Sequence, residues 1–502
     1  MATKSPSNPP PHPDTLIASG DLCAECAVAL ELCLSLEHFN AVRATATAST
    51  GQQLVPTEKV ERQCGFCLGS LGAAESIANA ILAEIRDDAL EFDCPEFRLE
   101  LMLPRVVAHR RKQWLDAYKD HGINFAFEVK YAFARRILPM IEASLGRTHS
   151  EDAALHFIVE VVHVNDKEVP VRGRRREGEP SLKEIKRIKK ANKAPAASRD
   201  ESLARAIDGV SSPAFPLPPI TTPMRITSTR IRRDSIYLGG RYLKLARHVA
   251  QSLWLIDGVP KTPHSVEQCC GDGAKAVARA DEAVLIAAGR EDSDVRMLGS
   301  GRPFYIELKN ARNTKFDSLP IALEVNRMWE GIVQVSRMRW ITKEETKLVK
   351  VGEELKAKQY SCLVWADAAD PAKIAHVNSL TSIQIQQATP TRVLHRRANM
   401  TRPKMVHWVR VTPLAERQFY RVDLETQAGS YVKEFITGDL GRTVPSLRSL
   451  LGTSTDILEL DVTNVQLEFP PRTEEERVQM LSGKGRDGAG DVKIEGYDVS
   501  NE

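Results

Sequence analysis

The sequence predicts an α+β protein of more than one domain, and three observations carry that prediction. Strand-like segments alternate with helical ones from about 225 to 475. Between about 20 and 215 the chain holds amphipathic helical runs and two cysteine pairs. The Pro-rich stretch SSPAFPLPPITTP, 211–223, separates the two regions. A length of 502 residues suffices for two or three domains, each with its own core. A hydrophobic content of 42% and a charged content of 27% suit a globular chain rather than a disordered one. The net charge of +3 decides nothing about nucleic acid, because such footprints are local.

Residues 1–19 begin MATKSPSNPPPHP, Pro- and Ser-rich with no apolar leader core, and predict a disordered tail. No run of about 18 apolar residues suggests a membrane span. An intracellular, reducing location follows, nucleus or cytoplasm, where cysteines serve as metal ligands or core residues rather than disulfides. In the first region, SLGAAESIANAILAEIRD (70–87) and KQWLDAYKDHGINFAFEVKYAFARRILPMIEA (112–143) have helical periodicity. FRLELMLPRVV (97–107) alternates like a strand, and ALHFIVEVVHV (154–164) is a β-branched strand run. Residues 171–200 break the pattern with RGRRREGEP and KEIKRIKKANK, which read equally as a solvated linker or a phosphate-contacting arm.

In the second region VLIAAG, RPFYIELKNA, VQVSRMRWIT, YSCLVWAD, QFYRVDLETQ and DILELDVTNVQLEF read as strands, and KEETKLVKVGEELKAK as a helix. Tyr420, Val422 and Leu424 share one face of their strand. Leu458, Leu460 and Val462 are expected to share a face too, with the phase then slipping to Val465 and Leu467 as across a bulge. From Glu474 the chain turns polar and Gly-rich, a flexible tail over 476–502.

Two motifs carry chemistry. C-A-E-C at 23–26 and C-G-F-C at 64–67 are knuckle-type pairs, so Cys23, Cys26, Cys64 and Cys67 are expected to share one structural Zn2+; with four thiolates the shell is closed. The competing reading places Cys23 and Cys26 in the core of an apolar helix. G-R-E-D-S-D-V-R at 289–296 holds Glu291, Asp292 and Asp294 between arginines, and alone it reads as a solvated turn, a metal site or the seat of a nucleophile.

The segments G-R-E-D (289–292), Q-Y-S-C-L-V-W (359–365) and A-G-S-Y-V-K-E-F-I-T-G-D-L-G-R-T (428–443) together resemble the signature of RNA pseudouridine synthases. Y-L-G-G-R-Y-L-K-L-A-R (237–247), W-L-I-D-G (254–258), T-P-T-R-V-L-H-R-R (389–397) and D-I-L-E-L-D-V (456–462) extend the likeness. With them the chain resembles the archaeal and eukaryotic Pus-ten family of tRNA-modifying enzymes. The resemblance is dense over about 230–470 and thin over 70–220. It implies a mixed, largely antiparallel catalytic domain over 225–475, and an accessory domain over 20–215 with a zinc module and a THUMP-like RNA-binding part. It implies isomerisation of uridine to pseudouridine at position 54, 55 or both of the TΨC arm of tRNA, by a monomer with no organic cofactor.

The resemblance also assigns roles. Asp292 is the reacting carboxylate and Lys433 its cationic partner. Tyr360 stacks on the flipped uridine, Tyr431 makes a second substrate contact, and Leu460 forms an apolar wall of the pocket. Arg241, Lys244, Arg247, His395, Arg396 and Arg397 are candidate phosphate contacts, with Arg392 beside them. Glu291 is expected to face solvent or a basic surface, and Asp294 to pair with Arg296 or Arg302. Two rivals stand against this reading. One is a non-catalytic RNA-binding adaptor, as in small-RNA processing, with a degenerate site. The other is a metal-dependent nuclease built on Glu291, Asp292 and Asp294.

Overall fold

The computed structural model describes Cys26, Cys64, residues 66–118 and 128–164, Thr222, and residues 224–395 and 397–472. The predicted tails 1–19 and 476–502 and the basic segment 171–200 lie outside these residues. The chain divides into two units, residues 1–234 and 235–502.

In the first unit, helix α1 (Ala74–Leu90) buries Ile77, Ala78, Ile81, Ile85 and Ala89 on one stripe. The guanidinium of Arg147 donates to the Ala89 and Phe92 carbonyls at 2.8 and 2.7 Å, tying the end of the helix to a segment much later in the chain. Strand β1 (Glu96–Met102) follows. The run expected as one strand over 97–107 stops there, because Pro104 opens α2 (Arg105–Tyr118). The single long helix expected over 112–143 is instead α2 and α3 (Val129–Leu145). Helix α3 buries Phe133, Ile137 and Ile141 at i, i+4 spacing and ends at Gly146. Strands β2 (Thr148–His149), β3 (Leu155–Val162) and β4 (Arg225–Arg233) complete a sheet ordered β2-β1-β3-β4. β4 falls beyond the Pro-rich stretch but pairs with β3, so the division of the chain lies at Asp234 rather than at 225.

The second unit carries β5 (Ile236–Lys244), a short hairpin β6 (Leu255–Ile256) and β7 (Val259–Pro260), α4 (Val266–Ala278), β8 (Glu282–Ala287) and β9 (Arg296–Lys309). After these come α5 (Ser318–Met328), β10 (Val333–Ile341), α6 (Thr346–Leu355), β11 (Lys358–Ala366), α7 (Pro371–Ser379) and β12 (Thr381–Ala388). The last elements are β13 (Thr401–Pro413), β14 (Phe419–Thr426), α8 (Val432–Thr437), β15 (Thr443–Val444), α9 (Leu447–Leu451) and β16 (Thr455–Val465).

Ten of these strands form one sheet in the order β10-β5-β9-β16-β11-β14-β13-β12-β15, with β8 also on β9. Every pairing in it is antiparallel except β16 with β9, so the expected mixed, largely antiparallel α+β domain is what forms. Tyr420, Val422 and Leu424 are all buried, as their alternation requires. On β16 the register skips Thr463 opposite Gln359 and Tyr360, which is the expected bulge. A second skip at Leu458, opposite Leu363 and Val364, was not expected. Leu458 is therefore 52% exposed while Leu460 is buried, and the two do not share a face.

Candidate active site

The loop between β8 and β9 begins at Gly289, whose φ is +93°. A Cβ there would lie 3.0 Å from Arg302 Nη1 and 3.5 Å from Lys358 Cε, so a side chain would be strained by the backbone and crowded by the guanidinium. The next two carboxylates point opposite ways. Asp292 faces outward, its side chain 40% exposed. Glu291 turns into the core and its side chain is 1% exposed. This corrects the expectation that Glu291 faces solvent: with Asp292 outward, the neighbouring position faces inward. Arg302 Nε lies 2.7 Å from Glu291 Oε2, and the Tyr242 hydroxyl donates to both carboxylate oxygens at 2.9 and 3.1 Å. Gln251 Nε2 donates to Tyr242 Oη and to the Gly289 carbonyl, each at 2.9 Å. Burial drives the Tyr242 phenol pKa well above its ordinary value, and the Glu291 charge adds to it. Burial works against the Arg302 charge, but Glu291 together with Tyr242 and Tyr360 outweighs it and holds the guanidinium pKa up.

Two cations meet Asp292. Arg392 Nη1 donates to Asp292 Oδ2 at 3.0 Å while its Nε donates to Glu434 Oε1 at 2.8 Å. Lys433 Nζ lies 3.6 Å from Asp292 Oδ2 but 2.7 Å from Asp294 Oδ2. Lys433 is thus shared, and the closer partner of Asp292 is Arg392, which the sequence placed among phosphate contacts. Partial burial raises the Asp294 pKa, but the hydrogen bond and charge of Lys433 outweigh it, so the carboxyl is held below its ordinary value. Partial burial lowers the Arg392 pKa, and Glu434 and Asp292 more than restore it. The expected pairing of Asp294 with Arg296 or Arg302 does not form: Arg296 makes a two-point contact with Asp461 at 3.1 and 2.8 Å, and Arg302 serves Glu291.

Tyr360 lies on β11, half-buried. Burial raises its phenol pKa against the pull of the Arg302 guanidinium, which places the ring beside the residue that anchors Glu291. Tyr431 caps the start of α8, and Gln387 on β12 fixes its backbone from both sides. Gln387 Nε2 donates to the Tyr431 carbonyl at 2.9 Å, and the Tyr431 amide donates to Gln387 Oε1 at 2.8 Å. The register of the short helix therefore sets Lys433 and Glu434 against the loop. Leu460 is buried opposite Cys362 on β16.

The first half of the basic set is corrected. Arg241 is 5% exposed and donates to the Ser300, Gly301, Leu467, Phe469 and Val465 carbonyls. Burial lowers its pKa to about 10. Lys244 is 0% exposed and donates to the Val249 and Asp292 carbonyls at 2.8 and 2.9 Å. Arg247 donates to the Asp294 and Leu460 carbonyls at 2.9 and 3.1 Å and pairs with Glu459 and Asp461. On β5, Arg241 and Lys244 are buried and satisfy backbone carbonyls, which leaves neither facing a phosphate, whereas Arg247, just after the strand, is engaged by these partners with its side chain 21% exposed. In the second half, His395 and Arg397 are exposed, and Arg396 lies outside the described residues. Arg290 is exposed beside the loop.

In the first unit Cys26, Cys64 and Cys67 are buried, with their sulfurs all within 4.8 Å of one another. Cys23 lies outside the described residues. Cys269 and Cys270 are buried on α4, as packing residues would be.

A family model described as "Pus10, C-terminal" matches residues 237–466, the span that holds every side chain described around Asp292. The protein named tRNA pseudouridine synthase Pus10 from Mus musculus is 40% identical over 263 residues, covering 51% of this chain and 50% of that protein. The chain thus spans about half the length of that relative. The protein of the same name from Xenopus laevis is 30% identical over 444 residues, covering 82% of each. A solved structure described as a Cbf5-Nop10-Gar1 complex aligns with a TM-score of 0.26 at 15% identity, over 45% of this chain and 48% of that one, a score too low to carry an argument. With 82% of the frog protein matched in sequence at 30% identity, and the family model laid over the domain that presents Asp292, the chain belongs to the Pus10 family.

Proposed function

We propose that this chain isomerises uridine to pseudouridine in the TΨC arm of tRNA, at position 55, 54 or both, with Asp292 as the reacting carboxylate. The observation that carries the reading is the divergence of the two carboxylates: Glu291 locks the loop into the core while Asp292 is presented outward between Arg392 and Lys433. The relatives' names supply the substrate class.

The reaction breaks N1–C1′, rejoins the base through C5, and exchanges the C5 proton for one at N1, so no redox step is needed. It requires one ionised carboxylate against the sugar or the base ring. A uridine must leave its stack to reach it, at a few kcal/mol, and a Tyr360 ring face returns about 1–3 kcal/mol of stacking. Tyr431 and Leu460 complete the assignment as a second substrate contact and an apolar wall. His395, Arg396 and Arg397 follow Arg392 in the same segment, so phosphates held there lie next in sequence to a partner of Asp292.

The same divergence disfavours a nuclease, since Glu291 is consumed by Arg302 and cannot join Asp292 and Asp294 around a metal. For the first unit we assign one structural zinc on Cys23, Cys26, Cys64 and Cys67, within a THUMP-like tRNA-holding domain. Three buried thiols within 4.8 Å suit a tetrahedral site with Zn–S near about 2.3 Å, which would staple the fold. The protein would act as an intracellular monomer.

The test is an unmodified tRNA transcript, mapped for pseudouridine by carbodiimide and primer extension. Wild type should modify the TΨC arm. Asp292→Asn should bind the transcript normally and form no pseudouridine in a single turnover. Turnover by Asp292→Asn with a dead Asp294→Asn would move the reacting carboxylate two residues along. Binding with no turnover by wild type would favour the adaptor.

A further inference from the structure

Lys244 is a lysine with no exposed surface and no carboxylate of its own. Its ammonium donates to three backbone carbonyls: Val249 at 2.8 Å, Asp292 at 2.9 Å and Ser293 at 3.4 Å. The nearest carboxylate, Glu291, is 4.0 Å away and is already held by Arg302 at 2.7 Å and by the Tyr242 hydroxyl. Burying a cation in this way is unfavourable by several kcal/mol unless its hydrogen bonds are filled. A fold that needed only packing at this point would place a leucine or methionine there. Two of the three acceptors belong to the outward-facing carboxylate's own loop, at Asp292 itself and the next residue.

We propose that Lys244 is a positioning residue for the reaction: its buried ammonium fixes the backbone of residues 292–293 from beneath and thereby sets where the Asp292 carboxylate stands. The proposal rests on the functional reading above. The ammonium's three protons match three carbonyls, so the loop is tied at one point to β5 and to the segment after it. Removing the tie leaves the Asp292 and Ser293 carbonyls without their buried donor and frees the loop to shift. A displacement of about 1 Å at a reacting group is enough to lower a rate about 100-fold.

The charge state of this lysine is within experimental reach. Burial brings its pKa down to about 8, against the opposing pull of Glu291. The charged groups around it are Glu291, Asp292 and Asp294 from the loop and Arg302 from β9, with the neutral Tyr242 phenol bonded to Glu291. Above its pKa the amine keeps only two protons for three acceptors, and the positive charge beneath Asp292 is gone. The wild-type rate should therefore fall on the alkaline side with a midpoint near about 8.

The experiment uses the full chain with an unmodified tRNA transcript at saturating enzyme. Lys244→Met should lower the single-turnover rate about 100-fold while transcript affinity stays within about twofold, and its rate should lack the alkaline limb. Lys244→Gln, which keeps two N–H donors without the charge, should fall between. A Lys244→Met rate within about threefold of wild type overturns the proposal, as does an equal loss of rate and affinity. An alkaline limb that persists in Lys244→Met overturns it too. If neither variant folds, the wild-type profile decides alone: a rate flat to pH about 9.5 refutes the role. A wild-type chain that modifies no transcript defeats the functional reading instead. Amide exchange over 289–295 then settles the positioning claim without any activity: faster exchange in Lys244→Met supports it and unchanged exchange overturns it.

Discussion

Arg302 is a fully buried guanidinium whose charge is met by Glu291 at 2.7 Å. Glu291→Gln would leave that cation buried without its counter-charge, and should lower stability by about 3–5 kcal/mol in chemical denaturation. A loss under about 1 kcal/mol would show that the pair contributes little to the folded state. Arg392 makes a different prediction, because it touches Asp292 from the outside. Arg392→Met should slow single-turnover modification while leaving the melting temperature close to wild type. Tyr360→Ala should lose turnover far more than transcript affinity, since one stacked base is lost while phosphate contacts persist; equal losses would assign Tyr360 to the core. At this scale the sequence displayed the motif residues Asp292, Tyr360, Tyr431 and Lys433, with Lys433 as a partner of Asp292, but not the closer contact of Arg392 or its link to Glu434. Arg392 stands in a basic run, T-P-T-R-V-L-H-R-R, where nothing in the sequence distinguishes the arginine that reaches Asp292 from its basic neighbours. Glu291 and Lys244 were misread alike, since a charged residue in a polar motif reads as surface and only the core beneath the loop shows otherwise.

The loop is held in register by an element contact well away from it. Gly299, with φ +61°, lies against the bulge of β16, where a Cβ would come 1.8 Å from the Thr463 carbonyl oxygen. Gly299→Ala should force β9 and β16 apart and strain the left-handed backbone together, lowering stability by at least about 1–3 kcal/mol in a denaturant titration. An unchanged midpoint would mean that the two strands separate freely. Arg241 acts at the same junction, joining the turn at 300–301 to the carbonyls of 465, 467 and 469. Strands with regular alternation were legible: β14 and β3 bury every second residue. β5 was not, because seven of its nine residues are buried, an arginine and a lysine among them. β13 escaped as well, since the register skips His407 and breaks the two-residue period. The bulge at Leu458 had no sequence signal, which is why Leu458 and Leu460 were wrongly set on one face.

Each of the two units makes its own demands on solution conditions. In the first, His156 is buried with Nδ1 2.7 Å from Glu100 and Nε2 3.3 Å from Asp234. The hydrogen bond with Asp234 raises its pKa, burial opposes, and Glu100 adds to the rise. A raised folded-state pKa contributes stability that is complete below the ordinary value of 6.5 and is lost as pH climbs through the raised one. The gap in melting temperature between wild type and His156→Gln should thus be widest at about pH 6 and shrink toward pH 8. A gap constant with pH would show that the ring is neutral throughout. Thiol modification should release close to one zinc per chain; metal-free protein with a Cys64→Ser variant of unchanged melting temperature would refute the zinc assignment. At this scale the two-unit division was legible from the Pro-rich stretch, displaced only by β4, which the stretch hid from its partner strand. One further consequence lies in the strand order. β16 comes after every other strand among the described residues, yet it lies inside the large sheet between β9 and β11. A ribosome delivers it last. Until Val465 has emerged, β11 waits beside an empty slot with one edge unpaired, and the nascent second unit consists of two partial sheets that nothing yet joins. Translation of this domain must therefore run to its final strand before the domain can close, and a growing chain halted short of residue 455 would present a bare strand edge to whatever chaperone or neighbouring chain reached it first.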